Sequence, residues 1–325
     1  MTPKQRAVAA LTLKIPDMVP TFELEFQLEE EMFGRQFITE DLWGENLAKL
    51  TQIDKERKLH EFAEYVVKVY TSLEYSIIPG PYGIGAWVDR NEAGGVSRDL
   101  KLVHKYIREL VGDTMMIGFH GDGTFGIPDG NGMYEFAYRI VDNPAGVKAQ
   151  AEEMCLRAIE RNKALQASGV DCLFLCADYC FNAGPFISPE MFAEFVQPYL
   201  ARIIAAARKD GLYTIKHTDG NIMPILDQLV AANPHALHSI DPMAGVDIRE
   251  VKRMYGDKVC LCGNVHCAAL QTGSDQDVID SAEYCLTYAK PGGGYIFCTS
   301  NVPFKGMRPE RYQLILDVWK RMRKY

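Results

Sequence analysis

His217 and Asp219 stand two residues apart in Ile215–Asn221, IKHTDGN, and Asp241, Cys262 and Cys298 each sit at the end of a later short apolar run. On a strand, a spacing of two puts both side chains on one face. An imidazole, two carboxylates and two thiols brought to one place can hold zinc, which takes nitrogen, sulfur and carboxylate oxygen; magnesium and calcium want oxygen alone. The predicted set is His217 and Cys298 with one or two of Asp219, Asp241 and Cys262. Three protein ligands and one open position would make the centre catalytic rather than structural. The plainer reading makes His217 a strand-end residue hydrogen-bonded to Asp219, Cys298 a core thiol, and Cys260, of the same parity, the inward residue in place of Cys262. Asp241 ends ALHSID before Pro242 and needs a partner wherever it is buried.

These residues meet only if the apolar runs are neighbours. Eight such runs occur, at Val19–Phe26, Tyr75–Pro79, Thr114–Phe119, Asp171–Ala177, Leu212–His217, Ala236–Asp241, Lys258–Gly263 and Gly294–Thr299. Between them lie helical patterns at Ser97–Val111, Pro144–Ser168, Ser188–Lys209, Asn221–Ala232, Asp247–Tyr255, Ser274–Lys290 and Arg308–Lys324. Ser188-Pro189-Glu190 is a helix start, with Ser at the cap and Pro at the first helical position. Eight strand–helix units predict an α/β fold, the (β/α)8 TIM barrel, as one domain over 1–325 with an N-terminal helical extension. The rival doubly wound sheet would carry a Gly-rich phosphate loop after its first strand, and Val19–Phe26 is followed by none. Gly80–Gly95 and Gly118–Gly132 read as loops over the barrel mouth.

With 325 residues, 47% of them hydrophobic, the chain can bury one large core, and its net charge of −8 argues against nucleic-acid or anionic-membrane partners. No apolar run reaches the length of a membrane span. The start, MTPKQRAVAALTLK, lacks a signal peptide's apolar core, so a cytoplasmic location is expected. Nine cysteines in that setting are expected to be reduced. Cys172, Cys176 and Cys180 read as packing residues.

In a barrel the active site lies at the carboxyl ends of the strands. Those ends collect Glu23 and Glu25, Tyr82, His120 and Asp122, Asp178 and Tyr179, His217 and Asp219, Asp241, Cys262, Asn264 and His266, then Cys298 and Asn301. Polar residues crowd there while the strands themselves are apolar, which predicts a polar site.

Several stretches resemble the uroporphyrinogen decarboxylase superfamily. They are DYCFNAGPFISPEMFAEFVQP at Asp178–Pro198, KHTDGN at Lys216–Asn221, HSIDP at His238–Pro242, CGNV at Cys262–Val265 and PGGGYIF at Pro291–Phe297. They fall in family order across about Thr114–Tyr325. The resemblance implies a (β/α)8 barrel and one of two chemistries. Decarboxylases of this superfamily grip a polyanionic porphyrinogen through an N-terminal Arg-rich segment. The equivalent stretch here, VPTFELEFQLEEEMFG at Val19–Gly34, is acidic. The other branch comprises corrinoid-system methyltransferases, whose methanogen members bind zinc through a His-x-Cys pair and a later Cys. This chain has His217-x-Asp219 in that place and keeps Cys298.

Within that branch the chain resembles the methyltransferase of anaerobic O-demethylase systems, which moves a methyl group from a phenyl methyl ether to the cobalt of a corrinoid protein. On that reading zinc or an acid assists the leaving oxygen, with Glu23, Glu25, Asp178 and Asp241 as the catalytic carboxylates. Phe26, Tyr82, Trp87, Phe119, His120 and Tyr179 would bind the aromatic substrate, and cobalamin would arrive on the partner corrinoid protein. A homodimer is the assembly considered. The alternatives are a decarboxylase-like lyase, for which His120, Lys216 and Arg90 are the only cationic anchors near the mouth, and a barrel that binds a small molecule without turnover.

Overall fold

The computed structural model describes residues 1–80 and 93–325. Its strands are β1 (Ile77–Ile78), β2 (Met116–His120), β3 (Cys172–Leu175), β4 (Cys180–Phe181), β5 (Gly184–Pro185), β6 (Tyr213–Thr218), β7 (Ala236–Ser239), β8 (Cys260–Cys262) and β9 (Tyr295–Ile296). Seven form one parallel sheet in the order β1-β2-β3-β6-β7-β8-β9. The eighth stave is the segment around Thr21. It bridges Phe297 in parallel, the Thr21 carbonyl accepts the Ser76 N–H at 2.8 Å, and the Pro20 carbonyl accepts the Phe297 N–H at 2.9 Å. It therefore joins the last strand to the first and curls the sheet into a TIM barrel, and each of the eight apolar runs supplies one stave. The strands are short and largely buried on both faces, as parallel strands covered by helices must be, and β6 alone buries Thr214, Lys216, His217 and Thr218 together.

Side chains from non-adjacent staves meet in the interior. Phe22 stacks on Phe174 at 5.7 Å and meets the edge of His238 at 6.0 Å, and the rings of His238 and His217 lie 5.0 Å apart. The register sets this row, with His217 opposite His238 and His238 opposite Cys262.

Side-chain caps start the surrounding helices: Ser97 accepts the Leu100 N–H, Ser188 the Met191 N–H and Ser274 the Asp277 N–H. The pattern over Ser188–Lys209 divides into helices Pro189–Phe195 and Gln197–Lys209. Pro198 has no N–H for the carbonyl of Glu194 and its ring crowds that turn, so the chain breaks at Val196. Two further helices lie outside the helical patterns of the sequence. Gln52–Ser72 is charged through its first turns and buries nothing before Leu59. Gly132–Asp142 carries Glu135, Arg139 and Asp142 among its apolar residues, burying Phe136 and Ile140 while exposing Tyr134, Tyr138 and Val141. The β4–β5 hairpin is antiparallel and projects after β3 at the rim. Among the described residues, no helix is long and apolar enough to cross a membrane.

Candidate functional site

β6 ends at Thr218, and its last inward residue is His217. The imidazole is buried, and two carboxylates stand over it, with His217 Nε2 3.6 Å from Asp178 Oδ1 and 3.8 Å from Asp219 Oδ1. The carboxylate side chains keep 45% and 32% of their surface exposed against 6% for the imidazole, so the group opens toward solvent on its acidic side. Among the described residues, Asp178, His217 and Asp219 form the only cluster of three or more His, Cys, Asp or Glu side chains whose donor atoms all lie within 4.8 Å of one another.

Each member is held. Asp219 Oδ1 accepts Ser239 Oγ–H at 2.8 Å and Oδ2 accepts Asn301 Nδ2–H at 2.5 Å. Asp178 Oδ1 accepts the Asp219 N–H at 3.0 Å. Asp241 braces the next turn, its Oδ2 accepting the Gly220 N–H at 3.1 Å and its Oδ1 the Met243 N–H at 2.9 Å. Gly220 has φ +82°, and a Cβ there would lie 2.4 Å from the Cys180 carbonyl oxygen, so this turn requires glycine. Ser239 and Ile240 also carry positive φ, 81° and 50°, where non-glycine residues are strained, and the first of them aims its hydroxyl at Asp219.

The loop bearing Asp178 is fixed from beneath. Lys216, fully buried, donates to Asp122 Oδ2 at 3.0 Å, to the Leu175 carbonyl at 3.0 Å and to the Ala177 carbonyl at 2.8 Å. Asp122 Oδ2 in turn accepts the Ala177 N–H at 2.9 Å. Tyr179 covers the ammonium with its ring, 4.0 Å from the centroid. Burial pushes the Asp122 carboxyl up, but the Lys216 charge, the Ala177 N–H and the Thr124 hydroxyl outweigh it and hold it at about 2.

Electrostatics favour a neutral imidazole. Burial drives His217 down, against the pull of Asp219 and Asp178, and burial pushes Asp219 up against the attraction of His217. His120 is lowered to about 4, by burial first and by His217 second. The Nδ1 of His217 lies 2.8 Å from the Nδ1 of His238, so Nε2 is the nitrogen aimed at the carboxylates.

The donor set could hold a divalent metal ion, and zinc is one it can be tested against. Zinc bonds of about 2.0–2.1 Å put tetrahedral ligand atoms roughly 3.3 Å apart, close to the His217–carboxylate spacings. One nitrogen, two carboxylate oxygens and a solvent-facing side match an open site. A neutral imidazole whose second nitrogen is already engaged matches a metal ligand oriented by its neighbour.

The sequence-derived residues divide. His217 and Asp219 come together, joined by Asp178, which had been assigned to acid catalysis. Cys262 and Cys298 do not join them. Cys262 is one strand further on, in register with His238, whose ring occupies the intervening space. Cys298 is fully buried, its Sγ 4.0 Å from the Ile296 carbonyl oxygen. Asp241 acts as a brace beside the cluster. Glu23 lies deep under the last stave, accepting from Thr299 and from Tyr312 Oη at 3.3 Å, and burial raises it to about 8. Tyr179 is fully buried, bonded to Thr124 Oγ1 at 2.5 Å, and forms no wall of the opening. Phe119 faces outward, edge-on to His104 at 5.4 Å. His120 faces inward, edge-on to Phe174 at 6.4 Å. Lys216 is spent in its buried pair and anchors no substrate. Glu25 and Phe26 line a cavity of ≈230 Å³ beside the first stave. Tyr82, Trp87 and Arg90 lie outside the described residues.

His238 and Ser239 were not singled out as site residues. The available signal was one buried histidine and one serine in ALHSID, aligned by register with His217 and Thr218. A larger cavity of ≈640 Å³ lies between Pro242, Asn264 and Tyr284 and touches none of the cluster, so the convergence of donors rather than volume marks the site.

Comparison with known proteins agrees with this architecture. A methyltransferase from Methanosarcina mazei superposes with a TM-score of 0.71 over 99% of both chains at 16% identity, which shows a shared fold. A uroporphyrinogen decarboxylase of Thioalkalivibrio sulfidiphilus is 25% identical over 232 residues, 65% of this chain, and the match spans 60% of that relative's length. Residues 100–322, from the helix before β2 to the last helix, match the uroporphyrinogen decarboxylase (URO-D) family model, so the chain belongs to that family.

Proposed function

We propose that this protein is a methyltransferase that takes a methyl group from a methoxylated aromatic compound and passes it to the cobalt of a separate corrinoid protein. The observation that carries the reading is the His217 imidazole beneath Asp178 and Asp219 at the open rim of the barrel. The fold shared with the Methanosarcina mazei methyltransferase along its whole length supports it. The acidic Val19–Gly34 segment favours it over decarboxylation of a polyanion, because the segment holds no Lys or Arg to bind carboxylates.

Cleaving an aryl methyl ether leaves a phenolate, whose charge must be met as it forms. His217, Asp178 and Asp219 would hold a zinc ion, and bound zinc would supply Lewis-acid polarisation of the ether oxygen. The chain's own residues orient the reacting groups. Asp219 is gripped at the rim by Ser239 and Asn301, which fix its carboxylate beside the opening. Asp178, on the loop clamped by Lys216 and Asp122, sets the opposite side of the opening. The nucleophile is the reduced cobalt of the docked partner, so this protein's share is positioning and leaving-group activation.

The test is incubation of the purified protein with a reduced corrinoid protein and a panel of methoxylated aromatics, following the methylcobalt absorbance. Methylation by at least one donor, lost in His217→Ala, is the expected result. No methylcobalt with any donor, or full activity in His217→Ala, defeats the reading.

A further inference from the structure

By the order of staves, the segment around Thr21 lies across the barrel from β6. Beyond its carboxyl end, on the far side of the rim from His217, is the cavity of ≈230 Å³. Its walls carry the rings of Phe26, Phe37, Trp43 and Tyr70, the carboxylates of Glu25 and Glu29, and the amides of Gln27 and Gln36, with Gln27 Nε2 donating to Glu25 Oε1 at 2.7 Å. Phe37 and Tyr70 stand with their centroids 5.4 Å apart. Among the described lining residues there is no Lys, Arg or His. Outside the cavity, Lys305 pairs with Glu30 at 3.0 Å and its charge also reaches Glu29, and Arg35 lies over the Tyr65 ring at 4.8 Å.

Glu29 is the telling member. Its Oε1 accepts the Phe37 N–H at 3.2 Å, while its Oε2 is buried with no hydrogen-bond partner among the described residues. A buried carboxylate oxygen without a partner is costly, and a ligand that sets a positive charge or a hydroxyl against it recovers part of that cost. Hydrogen-bonding capacity alone would suit a neutral polar ligand. Negative ring faces beside two carboxylates select a cation, and a bulky, weakly hydrated one over a metal ion. The volume equals roughly seven or eight waters at about 30 Å³ each, below that of drug-sized sites.

We infer that this cavity binds a small organic ammonium ion, of the size of a tetramethylated or trimethylated amine, held between the aromatic faces and the Glu25 and Glu29 carboxylates. The site is separate from methyl transfer and is read by binding alone, without turnover.

Choline and its neutral isostere 3,3-dimethylbutan-1-ol are the probes, titrated into the full-length protein by calorimetry and by tryptophan fluorescence. Choline should bind saturably, at least tenfold tighter than the isostere, with a fluorescence change that Trp43→Phe removes. Glu29→Gln should weaken choline at least fivefold with little effect on the isostere. If Glu29→Gln does not fold by circular dichroism, Glu25→Gln serves the same comparison. Equal affinity for the two probes, no saturable choline binding, a fluorescence change retained in Trp43→Phe, or unchanged choline affinity in the folded glutamine variant would each overturn the assignment.

Discussion

The Nδ1 atoms of His217 and His238 lie 2.8 Å apart, so one ring must donate its proton to the other. A metal at His217 Nε2 needs that nitrogen unprotonated. His217 then carries its proton on Nδ1 and donates to His238, which keeps its own proton on Nε2, a nitrogen buried with no partner among the described residues. Replacing His238 by Phe removes the acceptor and frees the His217 ring to turn. Loss of such a supporting partner typically costs 10–100-fold in metal affinity. Zinc titration against a competing chelator should show a drop of that order in His238→Phe. Unchanged affinity would show that the pair does not orient the ligand.

The cluster geometry separates its histidine from the cysteines. Protein purified with zinc should hold about one ion per chain. His217→Ala and Asp219→Ala should each lose it, and Cys298→Ser should retain it. Elemental analysis of the three variants decides, and loss of zinc in folded Cys298→Ser would restore the sulfur to the site.

Lys216→Met should be among the most destabilising single changes in the barrel. It leaves the Asp122 charge buried beneath Tyr179 without its cation, and breaking a buried pair on one side costs about 3–5 kcal/mol. It also releases Ala177, and with it the Asp178 loop. Adding Asp122→Asn should recover part of the loss, as urea unfolding of the single and double variants would measure.

Glu23 sets a pH dependence of stability. Its carboxyl is raised by burial to about 8 in the folded protein, from 4.5 when unconstrained. Between those values the folded state holds the extra proton, so stability falls as pH rises from about 4.5 through 8. The span corresponds to roughly 3–5 kcal/mol. Glu23→Gln cannot ionise and should flatten that slope, making the variant compare best with the parent near pH 8. Denaturation midpoints from pH 5 to 9 test the sign, and parallel profiles for the two proteins would refute it.

Much of the fold was legible because burial on both faces forces parallel strands to be short apolar runs, and eight of them close a cylinder. The helix Gly132–Asp142 was not legible because it follows directly on the Gly- and Pro-rich run 118–132, which reads as loop, and because Tyr134, Tyr138 and Val141 face outward. The stave around Thr21 was legible as an apolar run, although it pairs through single bridges and few hydrogen bonds.

Sequence spacing by itself determined that His217 and Asp219 share a face at a strand end, since two residues along a strand return to the same side. Tertiary structure decided their company. Whether Cys262, Cys298 or Asp178 stands nearest depends on register between strands and on the path of a loop, which no local pattern encodes. Register placed the His238 ring between His217 and Cys262. The Lys216–Asp122 clamp brought Asp178 over the imidazole instead.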